Sequence, residues 1–165
     1  MSGRSNNSTP YLYFLLPHES GGGKSMVQGF KILSVRPQVT NLHRLLWTIL
    51  SFGRYRRYSL LVDGEEVSTA EVMPYMPIFR FMKPGGIHIG PCVTKKQHRG
   101  HGYYPLLISQ IACEYQDRQS YIFCHETNSA SIRGIEKAGG QLFARGRKTR
   151  MGFYVISTHI LTKQQ

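Results

Sequence analysis

Short apolar runs alternate along this chain with stretches of helical spacing. Residues 11–16 (YLYFLL) form a continuous apolar and aromatic run that suits a buried strand. Phe30–Val35, residues 58–62 and Ile87–Thr94 read the same way, as do residues 121–124 (YIFC), 141–145 and 153–160. Asp63-Gly64 is a hairpin signal, because both turn positions need positive φ, and it sends a return strand over residues 66–72. From Pro37, where a helix can start, Val39, Leu42, Leu46, Ile49 and Leu50 recur near helical spacing with Trp47 beside them, and Gly53 ends the pattern. Residues 103–115 put Tyr104, Leu107, Ile108, Ile111 and Tyr115 on one face, and Pro105 falls in the first turn, where its missing N–H costs little. Asn128 or Ser129 caps a third helix running to Lys137, which Gly139-Gly140 ends.

Two segments break the pattern. Residues 73–83 hold Pro74 and Pro77 and are expected to be irregular or to form an edge. Pro91 interrupts the apolar run Ile87–Thr94. A proline inside a strand removes a ladder donor, so a bulge is expected there, with backbone groups left open to a ligand. With no repeat and no linker in view, residues 1–165 read as one mixed α/β (α+β) domain. It should hold a twisted, mostly antiparallel sheet of about six or seven strands with about three or four flanking helices. Residues 1–10 read as a flexible tail, and 17–25 as a loop.

Composition narrows the function. A net charge of +12 favours an anionic partner. Cys92, Cys113 and Cys124 are odd in number and widely spaced, which argues against a disulfide framework and a structural zinc site, and no metal is expected. No apolar run is long enough to span a membrane and residues 1–10 lack an apolar signal core, so a cytoplasmic chain with no membrane partner is expected. Arg54, Arg56 and Arg57, interleaved with Tyr55 and Tyr58, form either a nucleic-acid patch or, the favoured reading, a solvated helix end running into a strand.

The chemistry concentrates in residues 85–104, GGIHIGPCVTKKQHRGHGYY. Strand, basic glycine turn and helix together make an anion site, because free N–H groups and the positive end of the helix dipole meet there. Two stock phosphate loops do not fit. The dinucleotide fingerprint fails because Pro105 follows Gly100-His101-Gly102 where a glycine is required. Gly23-Lys24-Ser25 ends a mononucleotide loop whose first glycine is instead His18.

The turn resembles the coenzyme A pyrophosphate loop of the GNAT superfamily of N-acetyltransferases, roughly [Q/R]-x-x-G-x-[G/A]. Gln97 to Gly102 matches every letter; starting at Arg99 instead puts Gly102 at the central glycine, Leu107 and Ile108 at the apolar helix pair, and Tyr104 where a small residue is usual. The second register is preferred. Asn128-Ser129-Ala130-Ser131 followed by Glu136-Lys137-Ala138-Gly139 resembles the family's second signature. The resemblance covers about residues 58–160 and implies acetyl-CoA as co-substrate, held by Cys92, Val93, Thr94, Arg99, Gly100, His101, Gly102, Tyr103, Tyr104, Asn128 and Ser131. It also implies transfer of the acetyl group to an amine by direct attack in a ternary complex. Two positions depart from the family. Ile135 stands where a tyrosine commonly protonates the leaving thiolate, and Gly140 replaces an aromatic. Tyr103, Tyr104 or water would then supply the proton.

Deprotonating the amine calls for a base, and His88, Glu71 and Glu126 are the candidates by placement. If the strand alternates regularly, His88, Gly90, Cys92 and Thr94 share one face. The acceptor is a small-molecule amine or a peptide, and the few acids in the segments that would line its site disfavour a polycation. A homodimer is open. A basic nucleic-acid-binding module, or a GNAT-like protein that binds coenzyme A without turnover, are the alternatives.

Overall fold

The computed structural model describes residues 10–17, 29–37 and 42–160. The expected loop at 18–25, the start of the first helix at 38–41 and tail residues 1–9 lie outside these; Pro10 already belongs to a strand. The elements in chain order are β1 Pro10–Leu16, β2 Phe30–Val35, α1 Leu42–Leu50, β3 Arg56–Val62, β4 Glu65–Pro74, β5 Ile87–Thr94, α2 Tyr103–Glu114, β6 Ser120–His125, α3 Ser129–Lys137, β7 Gln141–Lys148 and β8 Tyr154–His159. A single turn of 3-10 helix, Lys96–His98, joins β5 to the glycine turn.

All eight strands form one sheet in the order β2-β3-β4-β5-β6-β1-β7-β8, rather than the six or seven expected. Every described pairing is antiparallel except β5 with β6. Strand β1 is wedged between β6 and β7, with Leu12 opposite Cys124 on one side and Arg145 on the other. Strand β7 continues to Lys148, three residues past the 141–145 run expected. Ala144 and Gly146 are buried while Arg145 and Arg147 point outward, so the charges follow the period of two that a strand needs.

Each face of the sheet carries its own core. On one face α2 and α3 pack with Phe14, Leu60, Ile89, Leu107, Ile108 and Ile135, all nearly inaccessible to solvent. The other face is aromatic. Residues 75–83, expected to be irregular, cross it and bury Met76, Phe79, Phe81 and Met82 against Tyr13 and Tyr121. This segment is pinned to β8, with Arg80 N donating to Tyr154 O (3.0 Å) and Tyr154 N to Ile78 O (2.9 Å).

Helix α1 forms where its spacing predicts, but it presents an unexpected face. Leu42, Leu46, Ile49 and Leu50 point to solvent, while Trp47 turns inward to stack near Phe79 (centroids 6.2 Å) and Arg44 reaches Glu71. The polar bond and the aromatic contact set the helix's rotation in place of its apolar arc.

Phe14 is 1% exposed and central, whereas Met151 is 83% exposed. Phe14→Ala should therefore cost about 3–5 kcal/mol and Met151→Ala less than about 0.5 kcal/mol, as read from urea denaturation midpoints.

Candidate functional site

Strands β5 and β6 are paired only at their first residues, Ile87 with Ser120 and His88 with Tyr121, and then part. The cause lies on β5. Ala70 of β4 faces Cys92 but Val72 faces Ile89, so Gly90 and Pro91 together oppose Glu71. This is the bulge that Pro91 predicts. Gly90 has φ 146°, a conformation suited to glycine. The extra residue also breaks the expected alternation. His88 lies on the aromatic face, whereas Cys92 packs against the helical-face core.

Beyond the bulge, β5 turns one set of backbone groups into the gap. Lys95 N donates to Val67 O of β4 (3.0 Å), and Val93 O accepts from Ser68 Oγ (3.3 Å). By alternation, the backbone groups of Cys92 and Thr94 face away from β4, toward the parted β6.

A cavity opens on each face of the gap, and both are lined by Cys92, Tyr104, Asn128 and Ser131. The cavity on the helical face has a volume of about 580 Å³. It is lined by Val93, Thr94, His98, Arg99, Gly100, Gly102, Tyr103, Arg133 and Lys137, with no carboxylate among the lining residues. Gly102 caps α2 with φ 80° and no side chain caps this end. The first intrahelical donor is Leu106 N, to Gly102 O (3.2 Å), so Tyr103 and Tyr104 keep N–H groups that the helix does not use. At the neighbouring helix, Asn128 Oδ1 accepts from Ser131 N (3.1 Å), the expected cap of α3. Arg99 is held by its Nε bond to Thr94 O (3.2 Å). Lys95 and His98 are drawn aside to Glu65, at 2.9 and 3.2 Å, and their contacts hold the Glu65 carboxyl below the usual range. His101 stacks on Tyr103 (5.8 Å) and does not line the cavity.

The cavity on the aromatic face has a volume of about 560 Å³. Trp47, Met73, Ile78, Phe79, Phe123 and Tyr154 form its walls, and Glu71, His88, His125 and Lys148 supply its ionisable groups. Glu71 accepts from the Tyr55 hydroxyl and from Arg44 Nη2 (3.4 Å). Burial and the bond to Glu71 raise the Tyr55 phenol above its ordinary value. His88 lies between Phe79 and Phe123, both with centroids 4.8 Å away, and its Nδ1 is buried without a hydrogen-bond partner. Burial pulls its pKa down to about 3, so it is neutral and a weak base at pH 7.

Of the candidate bases, the fold brings Glu71 and His88 to this cavity and leaves Glu126 out. Glu126 is exposed, binds Pro10 O through its backbone N–H (3.3 Å) and lines neither cavity. Burial, with Glu71 nearby, pushes the Cys92 thiol up to about 12, and burial pushes Cys124 up to about 11, so both stay protonated. Ile135 is fully buried and lines neither cavity. A Cβ at Gly140 would come within 2.8 Å of Ile135 O, which accounts for the missing aromatic there.

Tyr104, in place of a small residue, has a matching vacancy on α3. A Cβ at Gly134 would lie 2.6 Å from Tyr104 Cε1. Burial, first among several causes, raises the Tyr104 phenol, so it remains a proton donor. The Arg-Tyr run at 54–58, read by preference as a helix end entering a strand, does enter β3 and is not a stacking platform. Tyr55 and Tyr58 are buried, Tyr58 donates to Glu114 (2.7 Å) and Arg57 pairs with Glu66 (3.2 Å). Sequence reading passed over Arg44, Trp47, Arg133, Lys137 and Lys148. Only Arg133 and Lys137 carried a signal, their i,i+4 spacing on α3.

The sequence matches no family profile and no curated protein. Solved structures share the fold. A GNAT-family protein of Novosphingobium aromaticivorans is 18% identical with TM-score 0.55, over 85% of this chain and 62% of that one. An acetyltransferase of the GNAT family from Colwellia psychrerythraea is 11% identical with TM-score 0.59, over 83% and 53%. The chain thus spans less than two thirds of the length of either. The acetyltransferase AAC(6')-Ib, solved with paromomycin and acetyl-CoA, is 14% identical with TM-score 0.55, over 78% and 91%. The chain has the fold of the GNAT N-acetyltransferases, with eight strands and three helices among the described residues.

Two substitutions test this geometry. A buried neutral histidine with a depressed pKa stabilises the fold fully above pH 6.5, and that contribution is lost as pH falls toward 3. His88→Phe should keep the ring stack and remove about 2 kcal/mol of the stability difference between pH 7 and pH 5, measured by urea denaturation at both. Gly134→Ala should destabilise by about 1–3 kcal/mol, and adding Tyr104→Ala should recover most of that loss in a double-mutant cycle.

Proposed function

We propose that this protein transfers the acetyl group of acetyl-CoA to an amine in a ternary complex. The observation that carries the reading is the meeting of two cavities at the β5–β6 gap, one basic and framed by two helix N-termini, the other aromatic with one carboxylate.

The basic cavity suits a pyrophosphate. The turn from Arg99 to Tyr104 offers backbone N–H groups and the positive end of α2, and Lys137 and Arg133 add charge from α3. The pantetheine arm would pass through the gap, against the β5 edge at Cys92 and Thr94, which faces away from β4, and the Asn128 side. There the Cys92 N–H can polarise the thioester carbonyl; Pro91, the residue before it, has no N–H to offer. The amine would approach from the aromatic cavity. Glu71 is the base we assign, because it lines the same cavity as the bulge residues Gly90, Pro91 and Cys92 and His88 is too weak a base.

Attack by the amine nitrogen forms the C–N bond and a tetrahedral oxyanion, and the amine proton passes to Glu71. Collapse breaks the C–S bond and expels the coenzyme A thiolate. Tyr104 lines both cavities and keeps its proton, so it is positioned to stabilise the departing thiolate by a hydrogen bond, and the thiolate takes its proton from water. No step calls for a metal.

Calorimetric titration with acetyl-CoA should give saturable one-to-one binding; no heat and no thermal stabilisation at millimolar ligand would sink the reading. Glu71→Gln should lower kcat/KM by roughly 10²–10⁴-fold. Tyr104→Phe, which keeps the packing on Gly134, should lower kcat by roughly tenfold or more with acetyl-CoA affinity unchanged.

A further inference from the structure

The acceptor's chemical class can be argued from how charge is arranged around the aromatic cavity. A polycationic acceptor needs several free carboxylates, and among the described residues this cavity is lined by one. That one, Glu71, already accepts from Tyr55 and from Arg44. The other full charge among the lining residues is positive. Lys148, at the end of β7, is exposed and sets its ammonium 5.3 Å from the Tyr154 ring centroid. Beside it, in the same β7–β8 hairpin region, Arg80 lies over the Phe153 ring (4.4 Å). No Asp or Glu follows Glu136 in the sequence, so β7, β8 and their hairpin carry no acid of their own.

Sheet order sets the distance between the two poles. Strands β5, β6 and β1 separate Glu71 on β4 from Lys148 on β7. At about 4.8 Å per paired strand, and more across the parted β5 and β6, the two backbones are at least roughly 19 Å apart. Both side chains reach into the cavity and shorten this span, yet an α-amino acid, whose amine and carboxylate sit on one carbon, is too short to bridge it. Between the poles Trp47, Phe79, Phe123 and Tyr154 offer ring faces, which suit the apolar face of a sugar-sized body.

Building on the transferase reading above, we propose that the acceptor is an elongated, ring-sized amine bearing an anionic group remote from its nitrogen, an amino-sugar phosphate being the simplest type. Lys148 is the residue that selects it. The amine lies toward Glu71 and the bulge, and the anion lies at the β7–β8 hairpin.

The test compares glucosamine, glucosamine 6-phosphate, alanine and paromomycin as ligands of the full chain. Calorimetry is run with and without saturating acetyl-CoA, and release of coenzyme A is followed in parallel. Glucosamine 6-phosphate should bind about tenfold more tightly than glucosamine, the worth of one charge-assisted hydrogen bond. Alanine and paromomycin should bind more weakly than either. Lys148→Glu should erase the preference for the phosphate ester without altering acetyl-CoA affinity, and Lys148→Arg should retain it. Equal or tighter binding of glucosamine or paromomycin, a preference that survives Lys148→Glu, or no binding of any of the four amines overturns the proposal. Loss of acetyl-CoA binding with the amine preference intact would instead remove the transferase reading and leave the charge argument standing.

Discussion

Everything in this molecule that bears on chemistry follows from two parallel strands that stop hydrogen-bonding after two residue pairs. A continuous sheet would seal one face from the other. The extra residue in β5 opposite Glu71 turns that strand's backbone, and β6 diverges from it. The gap leaves polar backbone groups without a ladder partner, and such groups carry a desolvation cost unless something pairs with them. An extended amide-bearing chain is the natural partner for a free strand edge. The same parting lets a molecule that begins among cations on one face end beside a carboxylate on the other.

The helical-face cavity was legible in the sequence and the aromatic cavity largely was not. A proline in the first helical turn, glycines at fixed offsets and a basic turn are local signals, and they placed Gly102 at the cap of α2 with Leu107 and Ile108 buried behind it. Asn128 was legible for the same reason. The aromatic cavity draws Trp47 from α1, Glu71 from β4, Phe79 from the crossing segment and Lys148 from β7. No short-range pattern announces side chains that meet only through non-local strand pairing. Regular alternation, a sound default for strands, assigned His88 and Cys92 to one face, and the bulge that Pro91 itself signalled separates them. Helix α1 misled in a different way, since its apolar arc faces water while Arg44 and Trp47 set its rotation.

Departures from the usual loop pattern compensate one another in space. A bulky Tyr104 lies where a small residue is expected, and Gly134 on the adjacent helix leaves room for its ring. Ile135 is an apolar side chain buried in the core, while Tyr104 presents a phenol at the junction of the cavities. These positions lie apart in sequence and touch in the fold, so each looks anomalous until it is seen beside its partner.

The wedge of β1 between β6 and β7 ties the molecule's assembly to its order of synthesis. Tyr11 must find His125 and Gly146, so the apolar strand YLYFLL leaves the ribosome long before either neighbour exists. Until then half the sheet has no continuity with the other half, and an unpaired hydrophobic edge is exposed to other chains. Closure by the earliest strand makes a high-contact-order topology, which folds slowly.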